Sequence, residues 1–284
     1  MTLPSLQRMK HDRQKIVAVV AWDYQVAAIV DRVGVEIVSV GDSVGVNLWG
    51  QRDPLEITMD QMLVVCQAVR RGVRRALVSV DLPYGPLQEG PASAVRAAIR
   101  MVKEAGADLV KLDGAADFPE AVSAVARAGV PVWAQFGITP QTALRHGVEY
   151  SVASDAAMGG EMTDAMVSDA KRLHEAGASL LNFTNSGPVA GPAVAGAVPI
   201  PVLGGFGGGP WLDGRVRMIH AAIGYAASAL QKPPDTYANV AQITYDAIST
   251  YADDVRAGRQ IKGGTPKPSA APEPPAPGPP QPKK

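Results

Sequence analysis

Lys103-Glu-Ala-Gly106-Ala-Asp-Leu-Val-Lys-Leu-Asp113 decides the fold. A helix closes on Gly106, the chain turns, and an apolar strand opens at once and stops at Asp113. Glycine just past a helix end takes the left-handed conformation at little cost. The same phrase reads Asp31-Arg-Val-Gly34-Val-Glu-Ile-Val and Arg70-Arg-Gly72-Val-Arg-Arg-Ala-Leu-Val. It returns as Ala126-Arg-Ala-Gly129-Val-Pro-Val-Trp and His174-Glu-Ala-Gly177-Ala-Ser-Leu-Leu. Repeated helix-to-strand joints of this kind mean βα units and a parallel sheet. Apolar runs place strands at Ile16–Trp22, Glu36–Gly41, Ala76–Asp81, Leu109–Asp113, Val130–Phe136, Ser179–Thr184, Ile200–Gly204 and, least marked, Arg215–Ile219. Eight such units predict a closed (βα)8 TIM barrel rather than an open doubly wound sheet.

The helices agree with this layout. Thr58-Met-Asp-Gln61 is a capping box, with Thr58 as N-cap and Gln61 three residues on. Met62, Leu63, Cys66 and Val69 then share one face, so Cys66 reads as a small core hydrophobe. The helix before Gly106 is expected to bury Val95, Ile99 and Val102 and to expose Arg96, Arg100 and Lys103. A last helix, Asp235 to Ala257, lies outside the barrel count, and residues 1–258 form one domain on this reading. Residues 259–284 run into a Pro/Ala-rich stretch without apolar periodicity, expected to be a disordered, polyproline-leaning tail.

Composition narrows the class. Lys+Arg and Asp+Glu are 27 each, so the chain carries no net charge and no nucleic-acid or polybasic membrane footprint is expected. Hydrophobic residues make up 46%, enough for a large core, yet no run approaches a membrane span. The one cysteine excludes an intrachain disulfide framework and fits the cytoplasm.

The chemistry gathers where strands end. Ile37-Val-Ser-Val-Gly-Asp42-Ser43 ends in a carboxylate and a hydroxyl, Ala76-Leu-Val-Ser-Val-Asp81 in a carboxylate, and Leu109-Val-Lys-Leu-Asp113 in Lys111 and Asp113. In parallel α/β proteins these ends face the binding crevice. An aspartate after a strand is most often an Asx-turn or N-cap, but its recurrence on three strands favours a site. Asp42, Asp81 and Asp113 together are a hard oxygen set suited to Mg²⁺. An α-keto acid chelates such an ion, which then stabilises the enolate beside the ketone. Ser43 is placed to bind the substrate carboxylate, and Lys111 shares the phase of Asp113. Gly137-Ile-Thr-Pro-Gln141 closes strand five, and Gly204-Gly-Phe-Gly-Gly-Gly-Pro210 closes strand seven. His146 and His220 lack ligand partners at metal-site spacing.

In order, Leu6-Gln-Arg-Met-Lys10, Ala21-Trp-Asp-Tyr24, Val40-Gly-Asp-Ser43, Asp81-Leu-Pro83, Val110-Lys-Leu-Asp-Gly114, Gly137-Ile-Thr-Pro-Gln141 and Asp213-Gly214 resemble the ketopantoate hydroxymethyltransferase family. That family belongs to the phosphoenolpyruvate mutase/isocitrate lyase superfamily of (βα)8 barrels. The resemblance implies a Mg²⁺-dependent homo-oligomer, often a decamer. It implies transfer of a one-carbon unit from methylenetetrahydrofolate to 3-methyl-2-oxobutanoate in pantothenate synthesis. By this resemblance Asp42 and Asp81 hold the metal at the substrate, Ser43 and Lys111 contact the keto acid, and Asp113 stands where the family has a metal-supporting Glu. Gln135 replaces a family His. Thr184, with Asn185 beside it, occupies the place of the family's catalytic Glu. Neither is a base near neutral pH, so Asp155, Glu161 or a metal-bound water would have to serve as the substitute base. Two alternatives stand beside this reading: C–C lyase or other enolate chemistry on a different 2-oxo acid, and a non-catalytic paralogue.

Overall fold

The computed structural model describes residues 1–142, 147, 162–205, 209–231 and 235–264. Helix α1 (Leu3–His11) leads into β1 (Ile16–Val20), α2 (Tyr24–Val33), β2 (Ile37–Val40), α3 (Val44–Trp49) and α4 (Met59–Gly72). There follow β3 (Leu77–Asp81), α5 (Pro91–Ala105), β4 (Leu109–Leu112), α6 (Pro119–Arg127) and β5 (Val132–Gly137). The barrel ends with α7 (Thr163–Glu175), β6 (Leu180–Thr184), α8 (Ala190–Ala197), β7 (Val202–Gly204), β8 (Gly214–Met218) and α9 (Ile219–Ala222). The eight strands close in sequence order, and β8 pairs parallel to β1 from Ile16↔Gly214 to Val20↔Met218. The expected TIM barrel is therefore the fold. Strands β2, β3 and β4 are buried along their whole length, as parallel strands covered on both faces must be.

The chain makes two compact units, Met1–Ala222 and Ile223–Lys284. The first is the barrel. The second contains α10 (Val240–Arg256), which starts later than the sequence indicates because the Asn239 side chain accepts the Gln242 N–H and caps it there. The tail reading from residue 265 on lies outside the described residues.

Most local expectations hold. The α4 capping box forms in both directions, Thr58 N–H to Gln61 at 2.8 Å and Gln61 N–H to Thr58 at 3.3 Å. Cys66 is buried, and burial pushes its thiol up to about 12. Two differ. Gly34, Gly106, Gly129 and Gly177 take positive φ, but Gly72 does not. Gly72 ends α4 against α2, where an added Cβ would meet the Tyr24 carbonyl oxygen at 2.7 Å. Its role is close approach, not a left-handed turn. Helix α5 buries Ala94, Ala97, Ala98, Met101 and Ala105, whereas Ile99 is 39% exposed. Alanines let a helix lie close to its neighbours, so the small face turns inward and the larger residues flank it.

A repeated device finishes the lower rim, where parallel strands start and ladder groups lack partners. Glu36 donates its backbone N–H to the Val17 carbonyl, and its carboxylate accepts the Val17 N–H at 2.8 Å. Asp108 does the same with Val78, at 2.8 Å through the side chain. Asp213 does the same with Val202, again at 2.8 Å, and Lys10 lies 2.7 Å from its carboxylate. Asp31, 5% exposed, accepts the N–H groups of Arg74, Arg75 and Ala76 as the chain enters β3.

For Asp31, burial raises the carboxyl, but the Ala76, Arg74 and Arg75 N–H groups outweigh it and hold the group below its ordinary value. The folded state thus releases this proton more readily than the unfolded chain, so the contribution to stability is present above about pH 4 and fades as pH falls through the folded value. Asp31→Ala is predicted to cost about 2–3 kcal/mol at pH 7, read from the urea midpoint. The gap to wild type should narrow in acid; a gap unchanged down to pH 2 would refute this account.

Candidate active site

Strand ends β2, β3 and β4 bring the predicted residues together. Asp42 follows β2, Asp81 ends β3, and Lys111 and Asp113 sit two apart at the end of β4, all of them buried. Lys111 Nζ is 3.0 Å from Asp81 Oδ1. It also lies 5.5 Å from the Trp133 ring centroid, a cation–π distance. The Asp42 backbone N–H points at Asp81 Oδ2, 3.4 Å away. Behind the turn, Trp22 Nε1 donates to the Gly41 carbonyl at 3.0 Å, and its ring stacks on His220 at 4.6 Å. This pair holds the backbone that presents Asp42.

Asp42, Ser43, Asp81, Lys111 and Thr184 line one cavity of ≈ 490 Å³. Ser43 Oγ donates to Met218 Sδ at 3.6 Å, a weak bond a carboxylate would readily replace. Thr184 ends β6 and is 1% exposed, and its hydroxyl has no hydrogen-bond partner among the described residues. Asn185 does not line the cavity. It takes φ 60° and donates from Nδ2 to the Ile138 carbonyl at 3.0 Å, tying the ends of β5 and β6. Asp155, Glu161 and His146 lie outside the described residues, as do residues 206–208 of the glycine-rich loop.

Several residues make contacts that the sequence reading did not assign. Gln141 donates from Nε2 to Asp42 Oδ2 at 2.8 Å and from its backbone to Asp113 Oδ2 at 3.2 Å. Gln135 Nε2 also donates to Asp113 Oδ2 at 3.2 Å, and its Oε1 accepts from Asn182 Nδ2 at 2.8 Å. Arg215 and Arg217 of β8 line the same cavity. The signal for Gln141 was its place just past strand five, on the rim that carries Asp42.

Burial and crowding set the electrostatics. Burial first, then the Asp81 and Asp113 charges, push Asp42 up to about 8, against the pull of Gln141 and Lys111. Asp113 rises to about 6, chiefly through burial, opposed by the Thr139 hydroxyl and the Gln141 N–H. Asp81 is raised by burial and drawn back by Lys111. Carboxylates held above their ordinary values next to one ammonium make a site short of positive charge, which a hard dication would supply. Among the described residues no three His, Cys, Asp or Glu side chains form a ready-made metal cage. Asp42 and Asp81 fit the sparser arrangement that Mg²⁺ accepts, one or two carboxylates with water and substrate oxygen completing the shell. Asp113 is engaged by amide donors behind them.

Fold and site thus define a (βα)8 barrel whose upper mouth carries a buried, carboxylate-rich, lysine-containing pocket. Residues 1–260 match the family model for ketopantoate hydroxymethyltransferase. The 3-methyl-2-oxobutanoate hydroxymethyltransferase of Salinibacter ruber is 38% identical over 255 residues, covering 90% of this chain and 94% of that protein. That of Moorella thermoacetica is 37% identical over 258 residues, covering 91% and 94%. The chain belongs to the ketopantoate hydroxymethyltransferase family, a family of transferase enzymes. Its barrel is shared with phosphonopyruvate hydrolase, solved in complex with oxalate and Mg²⁺, at 14% identity and a TM-score of 0.58 over 94% of this chain and 92% of that one. It is shared also with 2,3-dimethylmalate lyase, a PEP mutase/isocitrate lyase superfamily member, at 15% identity and a TM-score of 0.56 over 92% and 99%. Among the described residues no helix is long and apolar enough to cross a membrane.

The raised Asp42 value has a measurable sign. A carboxyl that keeps its proton longer when folded makes stability fall as pH climbs from about 4 toward the folded value. In EDTA, Asp42→Asn should therefore match wild type near pH 4 and melt several degrees higher at pH 8, each kcal/mol relieved being worth about 2–4 °C at this size. Mg²⁺ should raise the wild-type melting temperature and leave the variant's unchanged. A wild-type curve flat between pH 4 and pH 8 in EDTA would contradict the crowding described here.

Proposed function

We propose that the chain is a Mg²⁺-dependent hydroxymethyltransferase adding a one-carbon unit from methylenetetrahydrofolate to 3-methyl-2-oxobutanoate, in pantothenate synthesis. The observation that supports it most is the Lys111–Asp81 pair, 3.0 Å apart beside Asp42 on the wall of the cavity, in a chain of this family. Asp42 and Asp81 would hold Mg²⁺, with Gln141 orienting Asp42. Bound there, the ion would polarise the ketone and stabilise the enolate oxygen. Lys111 sets a second positive charge against the developing oxyanion, and Trp133 shields its underside from water. Ser43 exchanges its bond to Met218 for one to the substrate carboxylate. Thr184 and Asn182 are neutral and accept no proton near pH 7. Asp155 and Glu161 are the proposed acceptors of the carbon-bound proton. The setting proposed is a homo-oligomer in the cytoplasm, in keeping with the single buried thiol.

The hydroxyl of Thr184 in place of a base favours a second reading. An enolate generated by breaking a C–C bond requires no removal of a carbon-bound proton, so lyase chemistry on another 2-oxo acid suits the same pocket.

Proton exchange decides between them. The protein is incubated with Mg²⁺ and 3-methyl-2-oxobutanoate in D₂O, and loss of the β-proton signal is followed by NMR. Exchange in wild type, lowered at least about 100-fold by Asp42→Ala, is the expected result. Exchange that appears only in Thr184→Glu would move the assignment to the second reading. None in any form would overturn the hydroxymethyltransferase reading and leave the second standing.

A further inference from the structure

The cavity at the upper mouth is larger than a short acid requires. At ≈ 490 Å³ it falls in the range of about 300–1,000 Å³ that holds extended organic ligands. A 2-oxo acid at Asp42, Asp81, Ser43 and Lys111 would fill only its buried part. The lining continues past Gly205 and Ala221 to Arg215 and Arg217.

The build of β8 explains why two arginines stand there. Strands β2, β3 and β4 are buried throughout, but β8 alternates buried and exposed residues. The helix that follows it, α9, has four residues, too few to cover a strand. Arg215 and Arg217, two apart, share the uncovered face, and both are exposed. Arg215 Nη2 makes a loose contact with the Gly205 carbonyl at 3.5 Å, at the end of β7. Among the described residues the Arg217 side chain has no hydrogen-bond or ion-pair partner.

A guanidinium is a planar fork that matches a carboxylate. Two of them at the open end of the cavity suit a ligand whose reacting end enters the buried part and whose far end carries carboxylates. The one-carbon donor of the reading above has that form. Its pteridine holds the transferred carbon, and its glutamate, with two carboxylates, lies at the opposite end. We propose that Arg215 and Arg217 anchor this glutamate and so aim the pteridine at the keto acid. The proposal rests on the hydroxymethyltransferase reading and adds the subsite for the donor's tail.

Tetrahydrofolate and tetrahydropteroate differ only in that glutamate, and neither carries the transferable carbon. Both can be titrated calorimetrically, without turnover, into the full chain with saturating Mg²⁺ and 3-methyl-2-oxobutanoate. Wild type should bind tetrahydrofolate at least about 10-fold more tightly. The double variant Arg215→Gln/Arg217→Gln should bring that ratio to about one by weakening tetrahydrofolate alone. With methylenetetrahydrofolate the same variant should raise KM at least about 10-fold, the loss falling in KM rather than kcat, as for an interaction made equally in ground and transition states. Equal affinity in wild type, or a preference that survives the double variant, would overturn the proposal and leave the transfer reading intact. Weaker binding of 3-methyl-2-oxobutanoate in the double variant would show that the pair holds the acid, and would overturn it too. A tail preference in a wild type that transfers no carbon would keep the anchor and overturn the transfer reading; neither binding nor transfer would end both. The wild-type comparison stands even if the variant fails to fold.

Discussion

Strand β8 reaches β1 through Gly214, which lies so near the Ile16 backbone that an added Cβ would stand 2.1 Å from its carbonyl oxygen. That approach allows the register from Ile16↔Gly214 to Val20↔Met218 and closes the barrel. Closure removes the open edges a parallel sheet would otherwise expose. It also brings β8 next to β1 and β2, so that Met218 meets Ser43. Asp213, the residue before Gly214, joins the Val202 N–H to Lys10. One short segment thus fastens the last strand to its two neighbours and to the first helix.

The two ends of the barrel use carboxylates in opposite ways. At the lower rim Asp31, Glu36, Asp108 and Asp213 accept backbone N–H groups. Such bonds favour the ionised form, and they complete ladders that would otherwise lack partners. At the upper rim Asp42, Asp81 and Asp113 face one another and the buried Lys111 ammonium. There burial and mutual repulsion oppose ionisation, leaving the pocket in need of a cation.

The sequence carried the barrel and the upper aspartates well because both depend on local pattern. Glycine after a helix and a carboxylate after an apolar run are read within about ten residues. The lower rim was equally local, in Gly34-Val-Glu36 and Gly106-Ala-Asp108, with an acid two residues past each glycine, yet its meaning emerges only once strands are paired. The connections inside the pocket were not legible. Gln141 reaches Asp42 across 99 positions, and Gln135 meets Asn182 across 47. Period-two alternation says which face a residue takes, not which residue of the next strand lies opposite. Helix α5 shows a related limit, since Ile99 and Ala98 are neighbours in a helical pattern and only packing selects the smaller as the buried one.

The lower-rim acids have a consequence for how such a chain diverges. They bond to backbone, which every substitution elsewhere leaves in place, so the frame is insured against change at the other rim. At the upper rim the partners are side chains, and each can be exchanged singly. A side chain at 182 or 184 can be replaced without a step through an unfolded intermediate form. Descent within one architecture can then outrun the chemistry by which its members are first recognised.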